Sequence, residues 1–254
     1  MKTMKNLTLM ILFAGFVFLS MESASAQLIR KYAYQKVVGP EKTLFNGEDL
    51  AGWTTVSGST EINGWTVEDG ILHRETKSGD VVTEETYTNF ILDFKWKISH
   101  GGNSGLKYRF NNFDGSWLGC EFQLLDDANN AEGTTEKHRT GDLYDMFSAD
   151  LNKNLLPHEQ FNHGRIIVNG NSIQHWLNGK LVLNVCVGSP QWEKAFAQSK
   201  FHEHKKFGKT PSGKILLQDH GDEVWFKEIV IREIKNIPVK KRTFLSQFAP
   251  KRRR

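Results

Sequence analysis

Residues 165–185 read Arg165-Ile166-Ile167-Val168-Asn169-Gly170-Asn171-Ser172-Ile173-Gln174-His175-Trp176-Leu177-Asn178-Gly179-Lys180-Leu181-Val182-Leu183-Asn184-Val185. Three short alternating runs are separated by Asn169-Gly170 and Asn178-Gly179. Asn and Gly tolerate the positive φ that tight hairpin turns demand, so Asn-Gly between alternating runs predicts strands over 165–169, 172–177 and 180–185. Upstream, Phe90, Leu92, Phe94, Trp96 and Ile98 alternate with Ile91, Asp93, Lys95 and Lys97, a strand with one buried face. The same period marks 106–110, 120–124, 214–218 and 224–232, and only 191–198 suggests a helix, of about two turns. Many short strands, Gly-rich turns and no interleaved helical period predict an all-β sandwich or barrel.

The 254 residues are 39% apolar and 24% charged, with 22 Gly, 6 Pro and 2 Cys. These proportions exclude a disordered chain, a collagen-like repeat and a disulfide-stapled miniprotein. A single long apolar run, 7–19, follows Lys2 and Lys5 and precedes Ala24-Ser25-Ala26. That pattern predicts a signal peptide over 1–26 cut after Ala26, a mature chain without a membrane span, and a secreted or periplasmic protein. Cys120 and Cys186 would then meet oxidising conditions, and their spacing leaves pairing open. The net charge of +4 arises from 33 basic and 29 acidic residues. Much of the excess lies in the last fifteen, so the body is near neutral and no nucleic-acid partner is expected. The expected organisation is an N-terminal linker over 27–41, one β domain over 42–235 and a basic tail over 236–254.

Side-chain parity marks a polar face. Lys107 and Arg109 oppose Leu106, Tyr108 and Phe110; Glu121 and Gln123 oppose Phe122 and Leu124; Gln218 and His220 oppose Ile215 and Leu217. Most alternation of this kind is the solvated outside of a sandwich. Here, however, an Arg–Glu pair, several amides and Trp176 on the polar parity of its strand form the inventory of a sugar site. Amides and charges bind hydroxyls, and rings cover C–H faces. The polar stretch 126–142 reads as a long loop, and such loops in compact domains tend to be functional. Trp53, Trp65, Trp96 and Trp225 are expected in the core.

Six ordered segments carry a resemblance: Leu44-Phe45-Asn46-Gly47-Glu48-Asp49-Leu50-Ala51-Gly52-Trp53, Trp65-Thr66-Val67-Glu68-Asp69-Gly70-Ile71-Leu72, Gly102-Asn103-Ser104-Gly105-Leu106-Lys107-Tyr108-Arg109, Cys120-Glu121-Phe122-Gln123-Leu124-Leu125-Asp126-Asp127, Arg139-Thr140-Gly141-Asp142-Leu143-Tyr144-Asp145 and Leu217-Gln218-Asp219-His220-Gly221-Asp222-Glu223-Val224-Trp225-Phe226. Together they resemble the 3-keto-disaccharide (3-keto-glucoside) hydrolase family. The resemblance implies a concanavalin A-like jelly-roll sandwich of two antiparallel sheets. It also implies a secreted enzyme acting on glycosides that a partner glycoside 3-dehydrogenase has oxidised at C3. The segment 186–213, with Trp192, Phe196, Phe201, His202 and His204, is longer than a hairpin needs. It either shapes specificity or covers an edge.

Direct glycoside hydrolysis needs two carboxylates. Glycanases of this fold usually place acids at i, i+2 and i+4 of one strand, whereas 121, 123 and 125 here are Glu, Gln and Leu. A C3 ketone relaxes that need, because it acidifies the C2 proton and allows the C1 substituent to leave by β-elimination before water adds. Glu121 or His220 is the candidate base, and Arg109 or Lys107 the cation beside the enolate. Asn103, Ser104, Lys107, Gln123, Asp126, Asp142, Tyr144, Trp176 and Gln218 are candidate substrate contacts. A divalent metal is a further candidate electrophile, with Asp126, His138, Asp142 and the adjoining Asp127 as its ligands, although their spacing matches no metal signature. The rival reading is a non-catalytic, lectin-like carbohydrate-binding module on the same fold.

Overall fold

The computed structural model describes residues 33–239; the expected signal peptide, and the expected tail from 240 onward, lie outside them. The chain separates into Val38–Ile234 and a second unit, Met1–Val37 with Lys235–Arg254. Of the second unit only 33–37 and 235–239 are described, as the ends of two strands. In chain order the elements are β1 (Ala33–Thr43), β2 (Trp53–Thr55), β3 (Trp65–Glu68), β4 (Ile71–Arg74), β5 (Val81–Thr83), β6 (Phe90–Ile98), β7 (Asn103–Phe113), β8 (Ser116–Leu125), β9 (Asn162–Asn169), β10 (Ser172–Leu177), β11 (Lys180–Cys186), the helix α1 (Pro190–Gln198), β12 (Lys214–Leu217) and β13 (Val224–Val239). None of the described helices is long and apolar enough to cross a membrane.

The strands form the expected jelly-roll sandwich of two antiparallel sheets. One has the order β11-β10-β9-β6-β13-β4-β3, with β1 also paired to β13; the other runs β2-β5-β12-β7-β8. Between them lies one core in which Phe90, Phe94 and Trp96 of β6 meet Tyr108 of β7 and Phe122 of β8. Phe94 and Phe122 pack edge to face across the layers, at 5.5 Å between centroids. His175 of β10 is fully buried among these rings. Its Nε2 lies 2.8 Å from the Tyr108 hydroxyl and its Nδ1 2.9 Å from the Gly141 carbonyl. A carbonyl only accepts, so Nδ1 carries the proton and Tyr108 donates to Nε2. Burial pushes the His175 pKa down to about 4.

Both Asn-Gly signals mark hairpins. In the second, Asn178 and Gly179 both adopt positive φ between the paired Leu177 and Lys180. The first turn sits one residue later than the dipeptide: Asn169 pairs with Ser172, leaving Gly170-Asn171 as the loop, and Gly170 takes positive φ. The strands β1 to β5 escaped the sequence reading because most are only three or four residues long, too short to display a period. β1 corrects the expected linker, since most of it falls within 27–41.

The segment 186–213 is a covering layer with its own short helix. Ser189 Oγ accepts the Trp192 amide, and Pro190 occupies the first turn of α1. The helix buries Trp192, Ala195 and Phe196, and Phe201 and Phe207 follow it into the core. Trp225 is corrected: Val224 and Phe226 point inward, so Trp225 faces outward, stacked on His73 at 4.5 Å. Cys120 is buried, Cys186 is exposed, and both are free thiols.

Candidate active site

The outward face of the five-stranded sheet carries the candidate site. Lys107 and Glu121 are register partners on β7 and β8, and their side chains share this face. Lys107 Nζ lies 3.7 Å from Glu121 Oε2. Next along, Gly105 pairs with Gln123, and its missing side chain matters. A Cβ there would come within 3.0 Å of Glu121 Cγ and collide with its Oε1, so the carboxylate lies directly over the glycine. Glu121 is 7% exposed. Burial pushes its carboxyl above the usual carboxylate range, Asp80 adds to the rise, and Lys107, Lys200 and His220 oppose it.

Four segments outside the strand pair bring the remaining groups. The stretch after the long loop runs along the free edge of β8: Gly141 N–H donates to Gln123 O, Gln123 N–H to Asp142 O, and Tyr144 N–H to Glu121 O. This places the Tyr144 ring beside the site, stacked on His138 at 4.4 Å. Lys200 arrives just beyond α1, with Nζ 4.2 Å from the Tyr144 centroid. Asp80 stands at the entry to β5, and burial likewise pushes its carboxyl up, against a hydrogen bond from the Asp219 amide. The loop bearing His220 is held by a buried ion pair, Arg74 Nε to Asp219 Oδ1 at 2.7 Å. Asp219 Oδ2 also accepts from Ser78 and Gly79, tying the His220 and Asp80 segments together.

Several expected site residues belong elsewhere. Arg109 does not meet Glu121. The β7–β8 register shifts between Tyr108 and Asn111, and Arg109 sits in this bulge at a φ of 51°. The extra residue inverts parity, so the guanidinium turns away and donates to Gly208 O at 2.6 Å and Gly170 O at 2.5 Å. Phe110 takes the outward place instead, clustered with Val82 and Leu216. Trp176 lies on the other sheet, its indole donating to Gln174 at 3.0 Å. Ser104 is fully buried and donates to Gln218 O, a structural bond.

Asn103 and Gln123 remain on the site face, joined at 3.0 Å, and the amide oxygens of Gln123 and Gln218 are buried with no hydrogen-bond donor among the described residues. Asp126 is committed to the Gly101 amide and Asn129, Asp127 to the Thr140 amide and Lys153, and Asp142 to the amides of Arg139 and Ala149. His138 is held between Glu132 at 2.7 Å and Asp145 at 3.7 Å. Among the described residues no three His, Cys, Asp or Glu side chains converge to hold an ion, so the expected metal ligands do not fit one.

The sequence reading missed Asp80 and Lys200. Asp80 sits outside every recognised strand, and its closeness to Glu121 depends on β5 and β8 sharing a sheet. Lys200 lay within the unassigned covering segment, one basic residue among several.

Residues 40–232 match the family model described as 3-keto-alpha-glucoside-1,2-lyase-like domain. The chain is 29% identical over 224 residues to a 3-keto-disaccharide hydrolase of Bacteroides thetaiotaomicron, covering 75% of this chain and 77% of that protein. It also superposes on a Parabacteroides distasonis protein put forward as a glycosyl hydrolase, with 31% identity and a TM-score of 0.71, covering 77% of this chain and 94% of the other. A second such structure from the same organism gives 27% identity and a TM-score of 0.64, over 77% of this chain and 100% of that one. With three quarters of its length matched in order, the chain belongs to the 3-keto-alpha-glucoside-1,2-lyase-like domain family.

Proposed function

We propose that this chain is a carbohydrate-active enzyme that cleaves glycosides oxidised to a ketone at C3 of the sugar ring, with Glu121 as the proton-transfer group. One observation carries the reading: a nearly buried carboxylate that, among the described residues, meets a cation at 3.7 Å but is neutralised by no hydrogen-bond donor. Such a group holds a proton more readily than a free carboxylate and exchanges it closer to neutral pH, as a general base requires.

The residues suit an elimination. Glu121 takes the C2 proton, and the C–H electron pair moves toward C3, leaving an enolate oxygen that Lys107, rather than the alternative Arg109, neutralises. Collapse of the enolate expels the C1 substituent with its bonding electrons, and that substituent takes up a proton. The enone left behind adds water, hydroxyl to C1 and hydrogen to C2, so the net change is hydrolysis. The buried amide oxygens of Gln123 and Gln218 supply acceptors for ring hydroxyls beside the same carboxylate. A leader-like N-terminus supports an exported enzyme, and the C3 ketone calls for a preceding glycoside 3-dehydrogenase step.

Asp80 favours a second reading. It brings a second raised-pKa carboxyl to the face of Glu121, the pair that direct glycoside hydrolysis uses. Deuterium at C2 of a 3-keto-glucoside separates the two: elimination loses it to solvent or slows, and direct hydrolysis does neither. Glu121→Gln should cut turnover about 10²–10⁴-fold with binding retained. Saturable binding with no turnover by the unaltered protein would instead make it a lectin-like module.

A further inference from the structure

The covering segment between β11 and β12 does more than shield an edge. Its Lys200 donates its backbone N–H to Asp145 Oδ2 at 2.6 Å, which fixes the residue against the loop that carries Tyr144. Its ammonium then rests on the Tyr144 ring at 4.2 Å, with Phe201 at 5.3 Å. The ring is itself backed by His138, and His138 is clamped between Glu132 and Asp145. No carboxylate among the described residues lies within ion-pair distance of Lys200. A ring face orients an ammonium without neutralising it, so the charge stays available to what it faces.

We propose that Lys200, seated on Tyr144, is the second cation of the Glu121 site and a positioning residue that acts through Glu121. The inference rests on the reading of Glu121 given above, and it assigns the covering segment a role in the chemistry. Tyr144 N–H donates to Glu121 O, so the ring that seats Lys200 stands at the edge of the Glu121 strand. The charges that act on the carboxyl are Lys107 from β7, Lys200 from the covering segment, His220 from the loop after β12 and Asp80 from the entry to β5. The groups that face Lys200 are Glu121, Lys107, Asp145 and Glu132. Lys107 and Lys200 both favour the ionised carboxylate, so removing either makes Glu121 harder to ionise.

The experiment is a pH profile of kcat/KM on a 3-keto-glucoside, paired with a carbon-13 NMR titration of glutamate-labelled protein in which Glu121→Gln assigns the signal. Lys200→Met should move the acidic limb, and the Glu121 midpoint, to higher pH by about one unit, so that kcat/KM below the limb falls about tenfold and recovers at higher pH. Lys200→Arg should restore the limb. Tyr144→Leu should displace it, and Tyr144→Phe, which keeps the seat, should leave its position alone whatever happens to kcat. An unmoved Glu121 midpoint in Lys200→Met overturns the inference. If the unaltered enzyme does not act on the 3-keto-glucoside, the reading of the site fails, and the NMR midpoints still decide whether Lys200 acts on Glu121.

Discussion

Asp93 on β6 and Glu121 on β8 are carboxylates of nearly equal solvent exposure, 6% and 7%, each on the outward face of its own sheet, and Glu121 lies the deeper of the two. Burial pushes both upward, yet they end on opposite sides of the ordinary carboxylate range. Asp93 accepts from His163 at 2.9 Å, Arg165 at 2.6 Å and Arg232 at 2.8 Å, and the first two donors outweigh burial and hold it low. Glu121 has one lysine at 3.7 Å and remains raised. For this pair the donors in reach, set against the depth of burial, decide whether the carboxylate is held low as a structural tie or left raised.

That contrast can be broken by crossed substitution. Glu121→Gln should abolish most turnover while leaving the thermal midpoint unchanged or slightly higher, because a buried carboxylate without donors costs stability. Asp93→Asn should do the reverse, keeping turnover and losing about 1–3 kcal/mol in denaturant unfolding. The lower half of that range is favoured because Arg165 and Arg232 are 39% and 31% exposed and water replaces part of what they lose. If both variants lose activity and stability together, the two carboxylates do not differ in role.

The buried pair His175 and Asp142 sharpens the same point through pH. The His175 pKa is lowered from 6.5 to about 4, so between those values the unfolded chain binds a proton that the folded one refuses. Stability contributed by neutral His175 is therefore lost as pH falls through that window, about 3 kcal/mol in all. The Asp142 pKa is raised by burial from 3.8 to about 6, so it acts with the opposite sign, losing stability as pH rises through nearly the same window. The two should nearly cancel, giving a shallow slope between about pH 4 and 6.5 in unfolding experiments. Asp142→Asn should expose a steep loss on the acid side, and adding Tyr108→Phe with His175→Leu should flatten it again.

Arg109→Lys is the smallest expected effect. It forfeits the fork that reaches both Gly208 and Gly170, costing about 1 kcal/mol of stability with turnover unchanged. A large loss of turnover would return Arg109 to the chemistry.

Alternation by itself determined the class of fold, because a strand with one buried face writes its period directly into the chain: β6 and β10 were legible over their full length, and β9 and β11 over most of theirs. The outward placement of Glu121, Lys107, Gln123 and Gln218 was legible for the same reason, since the chain keeps strict parity around them. What the sequence alone did not determine was the cation that Glu121 meets. A single bulge at Arg109 adds one residue, and because the side-chain period is two, one residue exchanges inside for outside. Trp176 showed the right parity on the wrong sheet, and parity carries no information about which sheet a strand joins. Asp80 and Lys200 reach Glu121 from 41 and 79 positions away in the chain. Only the pairing of β5, β7, β8 and β12 in one sheet, and the packing of the α1 segment on the core, bring them there. Local periodicity is a property of neighbours along the chain, whereas charge acts through space, so the site had to wait for the fold.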